Sequence, residues 1–157
     1  RSLNRVWAFA NRFGPYDGLF GFSMGALVVT CLSSPTILRG LFGASMCPWR
    51  FVLCANAGGS NALSAYGFAI SSDEPPLART LGQSRITLPS FHLIGARDHW
   101  QKGAGQELLN FYEAATTYTH SFGHELPAAL FHDRALSTAL DQFLCEQLQP
   151  CTNVDNE

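Results

Sequence analysis

Charged residues are scarce in this chain of 157 residues: they make up 14% of it, and ten Lys and Arg nearly balance twelve Asp and Glu. No run of basic residues is present, so the composition argues against nucleic acid as a partner. Long hydrophobic runs are lacking too, since none approaches the ~20 residues that a membrane-spanning helix needs. These absences direct the search for function to a pocket in a globular protein.

The five cysteines form no recognisable framework. They are odd in number and scattered through apolar surroundings, and no two of them form a C-x-x-C pair. This usage is typical of reduced thiols in a cytoplasmic protein, and it disfavours both a disulfide scaffold and a structural zinc site. Apolar residues are abundant instead, at 46% of the chain with twelve Phe, which indicates one domain with a packed core.

Apolar periodicity along the chain alternates between helical and strand-like segments. Helices are predicted over about residues 3–13, 24–32, 106–115 and 128–148, and strands over residues 19–22, 51–55, 91–94 and 116–120. Residues 60–88 show no clear period and are expected to be mostly irregular, with room for one short helix. Because helices alternate with short buried strands, the sequence predicts an α/β fold with a mostly parallel sheet flanked by helices on both faces.

The sharpest local signal is a G-x-S-x-G motif at residues 21–25, between a predicted strand and a predicted helix. In a nucleophile elbow of this kind Ser23 would sit on a strained turn, and Gly21 and Gly25 would avoid clashes with neighbouring backbone. The backbone N–H of Met24, at the helix start, would donate to an oxyanion. The alternative is an ordinary turn in which Ser23 only caps the helix.

A nucleophilic serine needs a base, and the base needs an orienting carboxylate. Asp98 follows the strand at 91–94, and His124 follows the strand at 116–120. Open α/β sheets place their sites at such carboxyl ends, and the order Ser, Asp, His is that of α/β hydrolases. The sequence therefore predicts Ser23 as nucleophile, Asp98 as orienting acid and His124 as general base.

Two competing interpretations of these polar residues are weaker. Asp73 is another candidate acid, but it lies in a Pro-rich loop with no clear strand before it. His120 and His124 form an H-x-x-x-H pair that could bind a metal on a helix, but Gly123 and Pro127 oppose a helix there. We therefore expect no metal site and place His120 at the end of a strand.

Three sequence blocks, at residues 14–26, 86–98 and 120–127, resemble motifs of the FSH-type serine hydrolases. Written as family patterns, these motifs are GPFDGxxGFSQGA, IxxPSLHxxGxxD and HxGGHxxP. The resemblance implies an α/β-hydrolase fold and the roles given above for the serine, the aspartate and the histidine. It also implies an esterase or thioesterase that acts on acyl chains without a metal or an organic cofactor. Among the departures from the pattern, Met24 replaces a Gln and Phe122 replaces a Gly beside the histidine.

The resemblance also implies several strands before the elbow and a His-Gly-rich loop with a second oxyanion donor, and no such segment precedes Ser23. Residues 1–153 are therefore expected to form the C-terminal part of an α/β-hydrolase domain that lacks its early strands, followed by a tail at 154–157. The strand that carries Ser23 would then be an exposed edge, and the chain as written would be weak or inactive.

Two rival functions share the same fold. An α/β-hydrolase-like module without catalysis could serve binding alone, and an acyltransferase would use the same triad while excluding water from the second step. The leading expectation is a hydrolase that cleaves carboxylic esters or thioesters of a small-molecule acyl substrate through an acyl-enzyme.

Overall fold

A four-stranded parallel sheet runs through the computed structural model, which describes residues 2–58, 84–100 and 104–148. The elements in chain order are α1 (Ser2–Phe13), β1 (Gly18–Phe22), α2 (Met24–Ser33), α3 (Pro35–Phe42), β2 (Phe51–Ala55), β3 (Ser90–Gly95), α4 (Ala104–Leu109), β4 (Ala115–His120), a 3₁₀ helix (Ala128–His132) and α5 (Arg134–Leu148). The strands lie in the order β1-β2-β3-β4, with every pair parallel. This confirms the predicted sheet, and β1 occupies one of its edges. Asp73, the tail at 154–157 and most of the predicted irregular stretch lie outside the described residues.

Side chains on the two faces of the sheet join two separate hydrophobic clusters. In β2, Val52 and Cys54 pack into a cluster with apolar side chains from α1, α2, α3 and α4. Phe51 lies in the second cluster, with Leu53 packed against it, together with side chains from the 3₁₀ helix and α5. Successive residues of a strand point to opposite faces, so a strand that is apolar on both faces needs helices on both. The predicted helices on both faces are confirmed.

Helix α3 was not predicted, because Ser33-Ser34-Pro35 was interpreted only as the end of the helix predicted over residues 24–32. The structure begins a new helix there, with Pro35 in the first turn and the Ser34 hydroxyl accepting from the Ile37 N–H at 3.5 Å. Proline favours that position, since its missing N–H would have no helical partner. The axes of α2 and α3 differ by 79°, and no single helix in the described part of the chain is long and apolar enough to cross a membrane.

The helix predicted over 106–115 is wrong at its C-terminal end, because α4 stops at Leu109. Beyond Leu109 the backbone pairs with a distant residue instead of continuing the helix. Tyr112 forms a parallel bridge with Ile86, and the Glu113 N–H donates to the Ile86 carbonyl at 3.0 Å. The last predicted helix is also interrupted, at Asp133. The carboxylate of Asp133 accepts from the N–H groups of Ala135 and Leu136, at 2.9 and 3.2 Å, and so caps α5.

We predict that Phe143→Ala lowers the free energy of unfolding by about 3–5 kcal/mol. Phe143 is 4% exposed, and its ring packs against Phe51 and Phe91 with centroids 5.8 and 5.5 Å away, so truncation leaves a cavity between α5 and the sheet. Phe131 is 66% exposed, and Phe131→Ala should change stability by no more than about 0.5 kcal/mol. Urea unfolding of both variants is the measurement, and equal losses would contradict the packing assignment.

We also predict that His92 makes the fold sensitive to acid. His92 is 2% exposed in β3, its Nε2 lies 3.0 Å from the Ser90 hydroxyl, and burial lowers its pKa from 6.5 to about 4. Between these values the unfolded chain binds the proton and the folded chain does not, so stability falls as the pH falls, by up to about 3 kcal/mol. Urea unfolding against pH should show a shallower slope for His92→Gln in that window. Equal slopes would show that His92 does not control the acid response.

Candidate active site

Ser23 occupies a sharp turn between β1 and α2. Its backbone has φ 54° and ψ −116°, a conformation that costs a non-glycine residue on the order of 1–3 kcal/mol. The Ser23 N–H donates to the Ala55 carbonyl at 2.9 Å, and its carbonyl accepts from the Ala26 N–H at 3.1 Å. The turn is therefore held by β2 on one side and by the first turn of α2 on the other.

The two glycines of the G-x-S-x-G motif differ in what surrounds them. A Cβ atom on Gly21 would collide with the carbonyl group of Gly25 and with the Ala26 nitrogen. A Cβ atom on Gly25 would meet no described atom within 4 Å. The close approach of α2 to β1 therefore requires a glycine at position 21, and the clash expected at position 25 is not found.

The side chains of Ser23, His124 and Asp98 form one hydrogen-bonded chain. The Nε2 atom of His124 lies 2.8 Å from the Ser23 hydroxyl oxygen, and its Nδ1 atom lies 2.6 Å from the Asp98 carboxylate. The side chains of His124 and Asp98 are 18% and 8% exposed. Because a carboxylate can only accept, a neutral His124 bonded in this way has its proton on Nδ1 and presents Nε2 as an acceptor to the serine O–H. This arrangement can transfer a proton from the serine to the imidazole.

The loops that carry Asp98 and His124 are bonded to each other beyond the ends of β3 and β4. The Ala96 N–H donates to the His120 carbonyl at 2.9 Å, and the Arg97 N–H donates to the Phe122 carbonyl at 3.1 Å. A Cβ atom on Gly95 would collide with the Gly123 carbonyl oxygen, so the loops touch backbone to backbone. The second oxygen of the Asp98 carboxylate accepts from the Trp100 N–H at 3.1 Å.

Sequence reasoning missed Asn56, which follows β2 at the same end of the sheet. Its amide nitrogen lies 3.2 Å from the Gly123 carbonyl oxygen and 3.0 Å from that of Glu125. Its amide oxygen lies 3.1 Å from Nε2 of His120. The signal in the sequence was slight: an asparagine between a buried strand and a Gly-Gly pair suits a left-handed backbone, and the observed φ is 43°.

The other residues singled out near the site have varied surroundings. Met24 is the first residue of α2, so its N–H belongs to the turn that has no acceptor within the helix. The Phe22 ring packs on the His124 ring with centroids 5.2 Å apart, which covers one side of the imidazole. Phe122, a departure from the family pattern, packs against His120 with ring centroids 6.0 Å apart.

The described metal-ligating side chains form no cluster, and two of the described thiols are buried. In the described part of the chain, no group of three or more His, Cys, Asp or Glu side chains is close enough to hold a metal ion. Cys31 and Cys54 are free but buried, and burial raises the pKa of each thiol to about 12. A thiol with that pKa is protonated near neutral pH and is a poor nucleophile. Cys47 and Cys145 are free as well, and Cys151 lies outside the described residues.

We predict that Gly21→Ala destabilises the fold by about 1–3 kcal/mol, because the added methyl group must push α2 away from β1. Gly25→Ala is the matched control, since its methyl group enters open space within the described structure. Alanine also favours a helix over glycine, so Gly25→Ala should be neutral or slightly stabilising. Thermal unfolding midpoints decide, and a larger loss for Gly25→Ala than for Gly21→Ala would contradict the contact.

Comparison with known proteins identifies relatives of this chain. A family model described as serine hydrolase (FSH1) matches residues 1–135. The human protein named esterase OVCA2 is 34% identical over 144 residues, which is 90% of this chain and 56% of that protein. The mouse protein of the same name is 31% identical over the same shares. The chain thus spans about half the length of these relatives.

Solved structures share the fold at low sequence identity. A type II thioesterase from the yersiniabactin pathway, YbtT, has a TM-score of 0.59 and 14% identity, covering 94% of this chain and 74% of that one. A hydrolase from Pseudomonas aeruginosa has a TM-score of 0.58 and 16% identity, covering 90% of this chain and 70% of that one. Acyl-protein thioesterase 2 from Zea mays has a TM-score of 0.52 and 20% identity, covering 91% of this chain and 63% of that one. These likenesses show the α/β-hydrolase fold, and the family match over most of the chain shows that it belongs to the FSH1 serine hydrolase family.

Proposed function

We propose that this chain carries the catalytic triad of a serine hydrolase that cleaves carboxylic esters or thioesters. The observation that carries the proposal is the 2.8 Å hydrogen bond between the Ser23 hydroxyl and Nε2 of His124, continued at 2.6 Å from Nδ1 to Asp98. Nucleophile, base and orienting acid are thus already in contact in one chain.

In the acylation step, Nε2 of His124 takes the Ser23 proton as Oγ attacks the substrate carbonyl carbon. The carbonyl oxygen becomes an oxyanion, and the Met24 N–H at the start of α2 donates to it. The imidazolium then gives its proton to the departing alcohol or thiol, and the acyl group stays on Ser23.

In the deacylation step, water attacks the acyl-enzyme while His124 takes its proton. The tetrahedral intermediate collapses, the acid is released and Ser23 regains its proton from His124. Asp98 accepts the hydrogen bond from the Nδ1–H of His124 throughout, which keeps the productive tautomer and stabilises the imidazolium. The strained backbone at Ser23 serves this cycle by exposing Oγ at the carboxyl end of the sheet.

The substrate class draws its support from the relatives' names. The human and mouse relatives are named esterases, and two fold neighbours are named thioesterases. Both bond types undergo the same acyl transfer at a serine. The match covers only 56% of the human relative. The activity of the whole protein is therefore part of the proposal too. A binding module without catalysis and an acyltransferase become outcomes of the tests below.

The first test is labelling with a fluorophosphonate, read by mass spectrometry. We expect a single adduct on Ser23 that disappears in Ser23→Ala and persists in Ser45→Ala, which removes an exposed hydroxyl elsewhere. Labelling only in a form of the protein extended at its N-terminus would mean that residues outside this chain complete the site. An unlabelled Ser23 in both forms would contradict the proposed hydrolase and favour the binding module.

The second test separates turnover from binding with Asp98→Asn. The asparagine cannot hold His124 in the productive tautomer, so kcat for p-nitrophenyl acyl esters should fall on the order of 10³–10⁴-fold while KM changes little. Asp141→Asn, an exposed position on α5, is the charge-matched control and should retain activity. Unchanged kcat in Asp98→Asn would remove Asp98 from the mechanism, and acyl transfer to added alcohol without hydrolysis would indicate the acyltransferase.

A further inference from the structure

A buried asparagine lies behind the loop that carries His124. Asn56 is 2% exposed and directly follows β2. Its backbone N–H donates to the Leu93 carbonyl at 2.9 Å, so its main chain is tied to β3. Its left-handed backbone turns the side chain out of the strand pattern, in a conformation that asparagine tolerates better than most residues.

The two N–H bonds of the Asn56 amide clamp the main chain on both sides of His124. One goes to the carbonyl of Gly123, directly before His124, at 3.2 Å, and the other to the carbonyl of Glu125, directly after it, at 3.0 Å. Two bonds to the residues that flank a side chain fix both the position and the direction of its Cα–Cβ bond. The neighbouring residue, Ala55, accepts the Ser23 N–H at 2.9 Å, so the end of β2 is bonded to both the serine turn and the histidine loop.

The two carbonyl groups set the orientation of this amide, and the amide in turn sets the tautomer of His120. Two carbonyl oxygens can only accept, so the NH₂ group of Asn56 must face them and its oxygen must face Nε2 of His120 at 3.1 Å. His120 therefore donates from Nε2, and its Nδ1 accepts from the Phe122 N–H at 3.3 Å. This bonding requires a neutral ring, and burial lowers the pKa of His120 against the opposing effect of Asp98 and Glu125.

We propose that Asn56 is a positioning residue for the base, holding His124 in line between Ser23 and Asp98, with its amide oxygen bonded to His120. The inference rests on the proposed function, because it assigns Asn56 a part in the same reaction. Asn56 touches none of the reacting atoms; it acts through the backbone of residues 123–125.

The test uses Asn56→Gly, because glycine keeps the left-handed backbone and removes only the side chain. We expect the rate of fluorophosphonate labelling and kcat to fall on the order of 10²-fold with KM little changed, since a small displacement of the base misaligns proton transfer. Asn56→Asp should be worse than Asn56→Gly, because a carboxylate would face two carbonyl oxygens. If Asn56 only filled space, the nearly isosteric aspartate would be the milder change.

The control is Thr30→Val, which removes a buried hydroxyl bonded to the Ala26 carbonyl and to Tyr112, away from the histidine loop. It should lower the unfolding midpoint without lowering kcat or the labelling rate. A loss of activity in Asn56→Gly that merely tracks the loss of stability across the two variants would overturn the proposal.

A spectroscopic readout separates this inference from the proposed function. The His124 Nδ1 proton, shared with Asp98 over 2.6 Å, should give a far-downfield proton resonance in the wild type. We expect Asn56→Gly to shift or broaden it and Thr30→Val to leave it in place. If wild-type Ser23 is never labelled, the proposed function fails, while this resonance still decides the positioning role. A resonance unchanged in Asn56→Gly overturns that role even if Ser23 is fully reactive.

Discussion

The strained backbone at Ser23 is the constraint on which the rest of the site depends. A serine with φ 54° needs surroundings that hold it there, and these come from packing rather than from local preference. Helix α2 approaches β1 so closely that Gly21 cannot carry a side chain, and α2 itself is anchored by a run of buried residues. The energy of burying that helix thus sustains the turn that exposes the serine hydroxyl.

The parallel sheet gathers the remaining groups at the carboxyl ends of its strands. Each of its four strands ends at the same edge, and each is followed by one polar residue of the site: Ser23 after β1, Asn56 after β2, Asp98 after β3 and His124 after β4. Asp98 and His124 follow the neighbouring strands β3 and β4, so their loops lie side by side and the two side chains can bond. Serine and histidine follow the two outermost strands, so the histidine loop must reach back across the sheet. The residues after β2 and β3 hold that loop, through the Asn56 amide and the backbone of Ala96 and Arg97.

Features that depend on neighbouring residues could be predicted from the sequence, whereas features that depend on contacts between distant residues could not. Three strands were predicted as short continuous apolar runs, and the fourth from its β-branched and aromatic residues. Ser23, Asp98 and His124 were predicted as a set because a motif and a chain order single them out. The end of α4 depends on Ile86 pairing with Tyr112, a contact between distant parts of the chain. Asn56 was missed for the same reason, since its amide bonds carbonyls 67 and 69 residues away, which no local pattern reveals.

Two departures from the family pattern, Met24 and Phe122, fall at positions where the main chain makes the contacts. The donor proposed for the oxyanion is the backbone N–H of residue 24, so replacing glutamine by Met24 leaves it in place. At position 122 the N–H bonds to His120 and the carbonyl accepts from Arg97, at 3.3 and 3.1 Å. The Phe122 side chain adds a contact with the His120 ring, and the loop still brings His124 to Ser23. Side-chain identity can vary at such positions provided that the backbone keeps its course, whereas the role proposed for Asn56 depends on its side-chain amide.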